Sequence, residues 1–76
     1  MVSYAVMAEI RRLFPAEQVD AVLALVGRYG ELPSEREVPR VQLAILKIVR
    51  SDFQKLEKTV ALAKQDYRDV LMVEYQ

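Results

Sequence analysis

The sequence predicts an all-α fold: a small bundle of three to four helices that ends in a long C-terminal helix, with helical hairpin packing. Three observations carry this. Apolar residues recur at spacings of three and four, the period of one helix face. No stretch alternates apolar and polar residues over a useful strand length. The strong punctuation, Pro15, Gly27, Gly30, Pro33 and Pro39, lies near or before the midpoint, which leaves the last part of the chain free to run as helix.

The first helix begins at Ser3, whose side chain suits an N-cap. Val6, Met7, Ile10, Leu13 and Phe14 then fall on one side, away from Glu9, Arg11 and Arg12. Pro15 either opens a second helix at its favoured first position or kinks a continuous one. The next stripe is Val19, Val22, Leu23, Val26 and Tyr29. Glu17 near its start and Arg28 near its end suit the helix dipole. Gly30 is a natural left-handed stop, and "GELPSEREVP" forms the main loop.

"SERE" at 34–37 has capping-box spacing, but Pro39 would interrupt a helix begun at Ser34. The third helix is therefore placed from Pro39, after a single turn. Val41, Ala44, Ile45, Ile48 and Val49 make one face, while Leu43 and Leu46 lie on the far side. A helix apolar on two sides is sandwiched between two layers, and in so short a chain the second layer is expected from another subunit. "SDFQ" at 51–54 is another capping-box match and starts the last helix near Asp52, unless one kinked helix runs through. Its seam is Phe53, Leu56, Val60, Ala63, Tyr67 and Val70, a heptad pattern. A helix from there to the C-terminus would be ~35 Å long. A domain of this size has a radius of gyration of ~11 Å, so the helix end is expected to need a covering partner.

Seventy-six residues make one domain, 1–76, with a modest core of its own. The chain has no Cys and no His. Disulfides, thiolate or imidazole zinc sites and the commonest nucleophile–base pairs are thereby excluded, and oligomerisation is the remaining aid to stability. Eleven basic and eleven acidic residues balance, unlike the basic excess of a nucleic-acid binder. The start of the chain lacks a signal-peptide pattern, and the longest apolar run, 21–27, is far short of the ~20 residues that span a bilayer. A cytoplasmic location with no membrane contact is expected.

Ser3, Ser34 and Ser51 all stand where helix caps are expected, and no imidazole exists to activate them. Asp66, Asp69 and Glu74 could offer oxygen ligands to a hard cation, but no calcium-loop spacing accompanies them, so neither metal nor cofactor is expected. A helix–turn–helix over 39–70 invites comparison with DNA-binding proteins, with Gln54, Lys55 and Lys58 at the start of the second helix. The neutral charge argues against it.

"RVQLAILK" (40–47) and "DYRDVL" followed by "EY" (66–71 and 74–75) resemble a group of short, uncharacterised bacterial helical proteins. The resemblance covers roughly the second half. In that group a Pro often follows the Glu-Tyr, where this chain has Gln76. The resemblance implies a bacterial cytosolic source and no particular activity.

The ending poses a question of charge. Within one helix, no opposite charge lies three or four residues from Asp66, Arg68, Asp69 or Glu74. These residues are therefore expected to be solvated or to meet arginines of another segment, Arg36, Arg40 or Arg50. Leu43, Leu46, Asp66, Tyr67, Arg68, Asp69 and Glu74 are the expected interaction residues. The function expected is a non-enzymatic, homo-oligomeric helical interaction module, a dimer or higher, with a further protein partner possible. The alternative is a small helix-turn-helix-like nucleic-acid-binding regulator.

Overall fold

The computed structural model describes residues 2–74, with residue 74 described by its backbone alone. Among these residues the chain forms α1 (Tyr4–Leu13), α2 (Ala16–Val26), α3 (Val38–Val49), α4 (Leu56–Gln65) and α5 (Tyr67–Glu74). A single 3-10 turn, Phe53–Lys55, leads into α4.

Local chemistry sets each boundary. The Ser3 hydroxyl caps α1 by accepting from the Val6 N–H at 3.2 Å. Phe14, which precedes Pro15, is extended at φ −122° and ψ 147°, so α1 stops and α2 restarts after the proline. Gly30 sits at φ 116°, and a Cβ there would stand 2.8 Å from Val38 Cγ1. Both the backbone angle and the close approach of α3 therefore require glycine. Val38 opens α3 one residue before the expected Pro39, from a left-handed Glu37 (φ 51°) that offers no side-chain cap.

α3 is the centre of the molecule. It packs against α1, α4 and α5, while α2 bridges α1 and α4. Val41, Ala44, Ile45 and Leu46 are all completely buried. Val6 and Ile10 of α1, Val22 and Val26 of α2, Leu56 and Val60 of α4 and Val70 of α5 close the core around them. The Phe14 and Phe53 rings meet edge to face, with centroids 6.5 Å apart, and tie the end of α1 to the entry of α4.

Two expectations are corrected here. The long C-terminal helix does not form; Asp66 adopts φ −155° and ψ 99° and divides it into α4 and α5. The count is accordingly five helices among the described residues, and the last is short. The break lets α5 pack on both α3 and α4, so the molecule measures only 30 × 27 × 19 Å, with a radius of gyration of 11.1 Å. The second correction concerns Leu46. Its place on the far face of the third helix leads one to expect cover from another subunit, yet it is 0% exposed within the single chain. The chain supplies both layers around α3 itself, because breaking the last helix yields one more element to cover it. Leu43 is half-buried against the same core.

Candidate functional site

The densest polar organisation surrounds the loop at 27–37, where α2 ends and the chain turns towards α3. A helix C-terminus leaves carbonyls without intrahelical donors. Here four side chains supply donors or fix the turn. Gln42 of α3, 1% exposed, donates from Nε2 to the Tyr29 carbonyl at 2.8 Å and to the Val26 carbonyl at 3.3 Å. Lys64 of α4 donates from Nζ to the Arg28 carbonyl at 2.7 Å and to Glu35 Oε2 at 2.8 Å. The other Glu35 oxygen, Oε1, accepts from the Gly30 N–H at 2.7 Å and the Leu32 N–H at 3.1 Å. Tyr29, itself buried, donates its hydroxyl to the Arg36 carbonyl at 2.7 Å.

The Glu35 side chain is only 7% exposed. Burial pushes its carboxyl pKa up, but the hydrogen bonds from Lys64, Gly30 and Leu32 together outweigh this and hold it below its ordinary value. The Tyr29 phenol is pushed up, chiefly by burial. The capping box read from "SERE", Ser34 with Glu37, does not open α3: Glu37 itself stands at the N-cap, with no side-chain cap hydrogen bond, and Glu35 between them is used elsewhere. Its carboxylate turns back to the N–H groups of the preceding turn, and α3 starts without it.

A cleft of about 410 Å³ opens between this loop and the α4–α5 junction, lined in part by Ser34, Arg36, Lys64, Asp66, Tyr67 and Arg68. Asp66, Arg68 and Asp69 find their places around its edge. Asp66 is the N-cap of α5: its Oδ1 accepts from the Arg68 N–H at 3.1 Å and from Arg68 Nε at 3.2 Å. The side-chain and backbone hydrogen bonds from Arg68 hold the Asp66 carboxyl below its ordinary pKa. Asp69 falls in the first turn of α5, where the dipole favours an acid rather than opposing it. Its N–H donates to the Asp66 carbonyl at 3.1 Å. Arg40, one of the arginines expected for these acids, pairs with Glu37 at 3.1 Å.

The structure thus brings Asp66, Tyr67 and Arg68 together with the loop across one cleft. Tyr67 is half-buried against the core. Asp69 is exposed, Leu43 and Leu46 belong to α3, and the side chain of Glu74 and all of Tyr75 lie outside the described residues. Gln54, Lys55 and Lys58 are all exposed around the start of α4. Sequence reasoning missed Gln42, Glu35 and Lys64. Gln42 left a signal, because a glutamine among Val41, Leu43, Ile45 and Leu46 interrupts an apolar helix. The Glu35–Lys64 pair, separated by 29 positions, left none.

Chemically, the acidic and amide groups of this site are engaged with backbone carbonyls, backbone N–H groups and neighbouring cations. That is the work of a clamp on a loop. No helix among the described residues is long and apolar enough to cross a membrane. No protein-family model matches the chain, no curated protein matches it in sequence, and no solved structure matches its fold.

Proposed function

We propose that this chain is a non-enzymatic helical interaction module that associates with itself in the cytoplasm, as a dimer or higher oligomer. The observation that carries this reading is the apolar surface of the last two helices. Met72 is 64% exposed, Val73 45% and Leu62 38%, although the same helices bury Leu56, Val60, Ala63 and Val70 completely or nearly so. Apolar side chains left outside so small a core gain by burial against a second surface, at roughly 25 cal/mol per Å² removed from water. The balanced charge supports a protein partner over a polyanion.

Light scattering at micromolar concentration tests the reading. A multiple of the 8.8 kDa chain mass is expected, with Met72→Glu and Leu62→Glu shifting it towards the monomer. A monomer mass that does not change with concentration rejects it. Steeply salt-dependent binding to generic duplex DNA would favour a nucleic-acid-binding regulator instead.

A further inference from the structure

The turn between α3 and α4 is strained. Arg50 stands at φ 53° and ψ −116°, and the Asp52 N–H closes onto the Val49 carbonyl at 2.9 Å. These are the angles of the first central residue of a type II′ turn, a position that glycine fills and that crowds any residue with a Cβ. The connection has no slack, because 50–52 alone separate the end of α3 from the 3-10 turn at Phe53. A short connection under strain favours exchange of the element it joins between two copies of a chain.

The same residues have an unstrained alternative. Neither Gly nor Pro occurs after Pro39. Ile45, Val49, Phe53, Leu56, Val60 and Ala63 follow one another at spacings of three and four, so the apolar stripe of α3 continues unbroken into that of α4. One helix over 38–65 would place Arg50 in the ordinary right-handed region. It would be ~42 Å long, against a longest dimension of 30 Å for the folded chain. In that form α4 and α5 are carried away from their own α3, and their apolar faces are buried again against the α3 of a second copy.

We propose that the chain associates with itself by exchanging α4 and α5: the turn at 50–52 opens in two copies, and the α4 and α5 of each complete the core of the other. The exchange rests on the self-association proposed above, but not on the apolar surface of Leu62, Met72 and Val73. The interface it uses is one the fold already displays. α4 packs on α2 and α3, α5 packs on α3, Phe53 meets Phe14 edge to face, and Lys64 holds Glu35 and the Arg28 carbonyl. In the exchanged dimer every one of these contacts is remade between copies, so the second copy supplies the lysine that clamps the loop.

The chain has no cysteine, so single thiols can be placed across the cleft beside the loop. Ser34→Cys and Gln65→Cys put one on each side, both at exposed positions. The two variants are unfolded together in urea, refolded at high concentration and treated with a short bismaleimide. A linked product of twice the chain mass is expected from this mixture, well above either variant refolded alone or the two mixed after folding, because exchange requires opening. Light scattering on hinge variants completes the test. Arg50→Gly removes the strain of the closed turn and should weaken the dimer at least about tenfold, two hinges acting together. Asp52→Ala removes the carboxylate that accepts from the Gln54 N–H in the closed turn and favours helix, so it should strengthen the dimer. A dimer that yields no link across the cleft, or whose mass ignores both hinge variants, overturns the exchange and leaves surface association standing. A linked dimer indifferent to Met72→Glu and Leu62→Glu upholds the exchange and overturns the surface. A chain that stays monomeric under all these conditions overturns both.

Discussion

Gln42 does work that no aliphatic residue at its position could do. Its amide nitrogen serves two carbonyls at the end of α2, while its Oε1 is buried without a hydrogen-bond partner among the described residues. Replacement by methionine keeps the length and apolar stem but leaves the Tyr29 and Val26 carbonyls without that donor. Removing the unsatisfied oxygen offsets part of the loss. Gln42→Met should therefore cost about 1–3 kcal/mol in urea unfolding, since a buried acceptor stripped of its donor pays its desolvation in full. Arg50 has the opposite sign. A non-glycine residue in so sparsely populated a region carries about 1–3 kcal/mol of strain, and glycine's greater unfolded entropy returns some of it. Arg50→Gly should raise stability by about 1 kcal/mol in the same measurement. A fall would mean that the guanidinium makes compensating contacts within the fold.

The junction of α4 and α5 is decided at the level of the element. Asp66 caps α5 through its side chain and accepts from the Asp69 N–H through its carbonyl, so the "DYRD" stretch reads as the start of a helix. Asn caps as well as Asp does, whereas Ala cannot accept the hydrogen bond. Thermal unfolding should consequently rank Asp66→Asn near the parent and Asp66→Ala clearly below it, with Asp69→Asn showing a smaller loss. Equal melting for all three would show that the cap is dispensable. Close packing of α3 and α4 within the core gives a second expectation. Ala44 is 0% and Ala63 1% exposed in stripes of larger residues. Enlarging either to Leu should overpack the contact and cost about 1–3 kcal/mol.

Across the whole molecule, the Glu35–Lys64 pair joins a loop from the first half of the chain to a helix of the second. Its carboxylate also fixes the turn at Gly30 and Leu32, so a single protonation loosens three attachments. The Glu35 pKa in the folded chain lies below its ordinary value of 4.5. A depressed carboxyl stabilises the fold fully above the unfolded pKa, and that contribution is lost as pH falls through the folded value. Glu9, lowered chiefly by its hydrogen bond to Arg12, and Asp66 act in the same direction. Melting temperature should hold from neutrality down to about pH 5 and fall below it. Glu35→Gln should melt lower at neutral pH and show a shallower acid decline, and circular dichroism melts across that range would check both. An acid decline as steep as the parent's would place the sensitivity elsewhere.

The sequence by itself determined the fold class, the helix faces and most of the boundaries. The stripes Val6–Ile10–Phe14, Val22–Val26–Tyr29 and Leu56–Val60–Ala63 are buried, because a helix must turn its apolar face inwards whatever its neighbours are. Ser3 and Pro15 act through hydrogen bonds and backbone angles that involve only adjacent residues or the nearest turn, so their roles were legible from their identities. Gly30 takes the expected left-handed backbone but does not stop α2, which ends at Val26 with Gly27 as its cap. Tertiary structure decided the rest. The seam from Phe53 to Val70 is compatible with one straight helix, and neither Gly nor Pro marks Asp66 as its break. What favours the break is the burial that α5 gains by folding onto α3 and α4, a long-range gain invisible to local periodicity. The same is true of Leu46, whose cover came from within the chain, and of the clamp that joins Glu35 to Lys64. Contacts between positions far apart depend on how every helix is placed at once, and only the folded chain sets that.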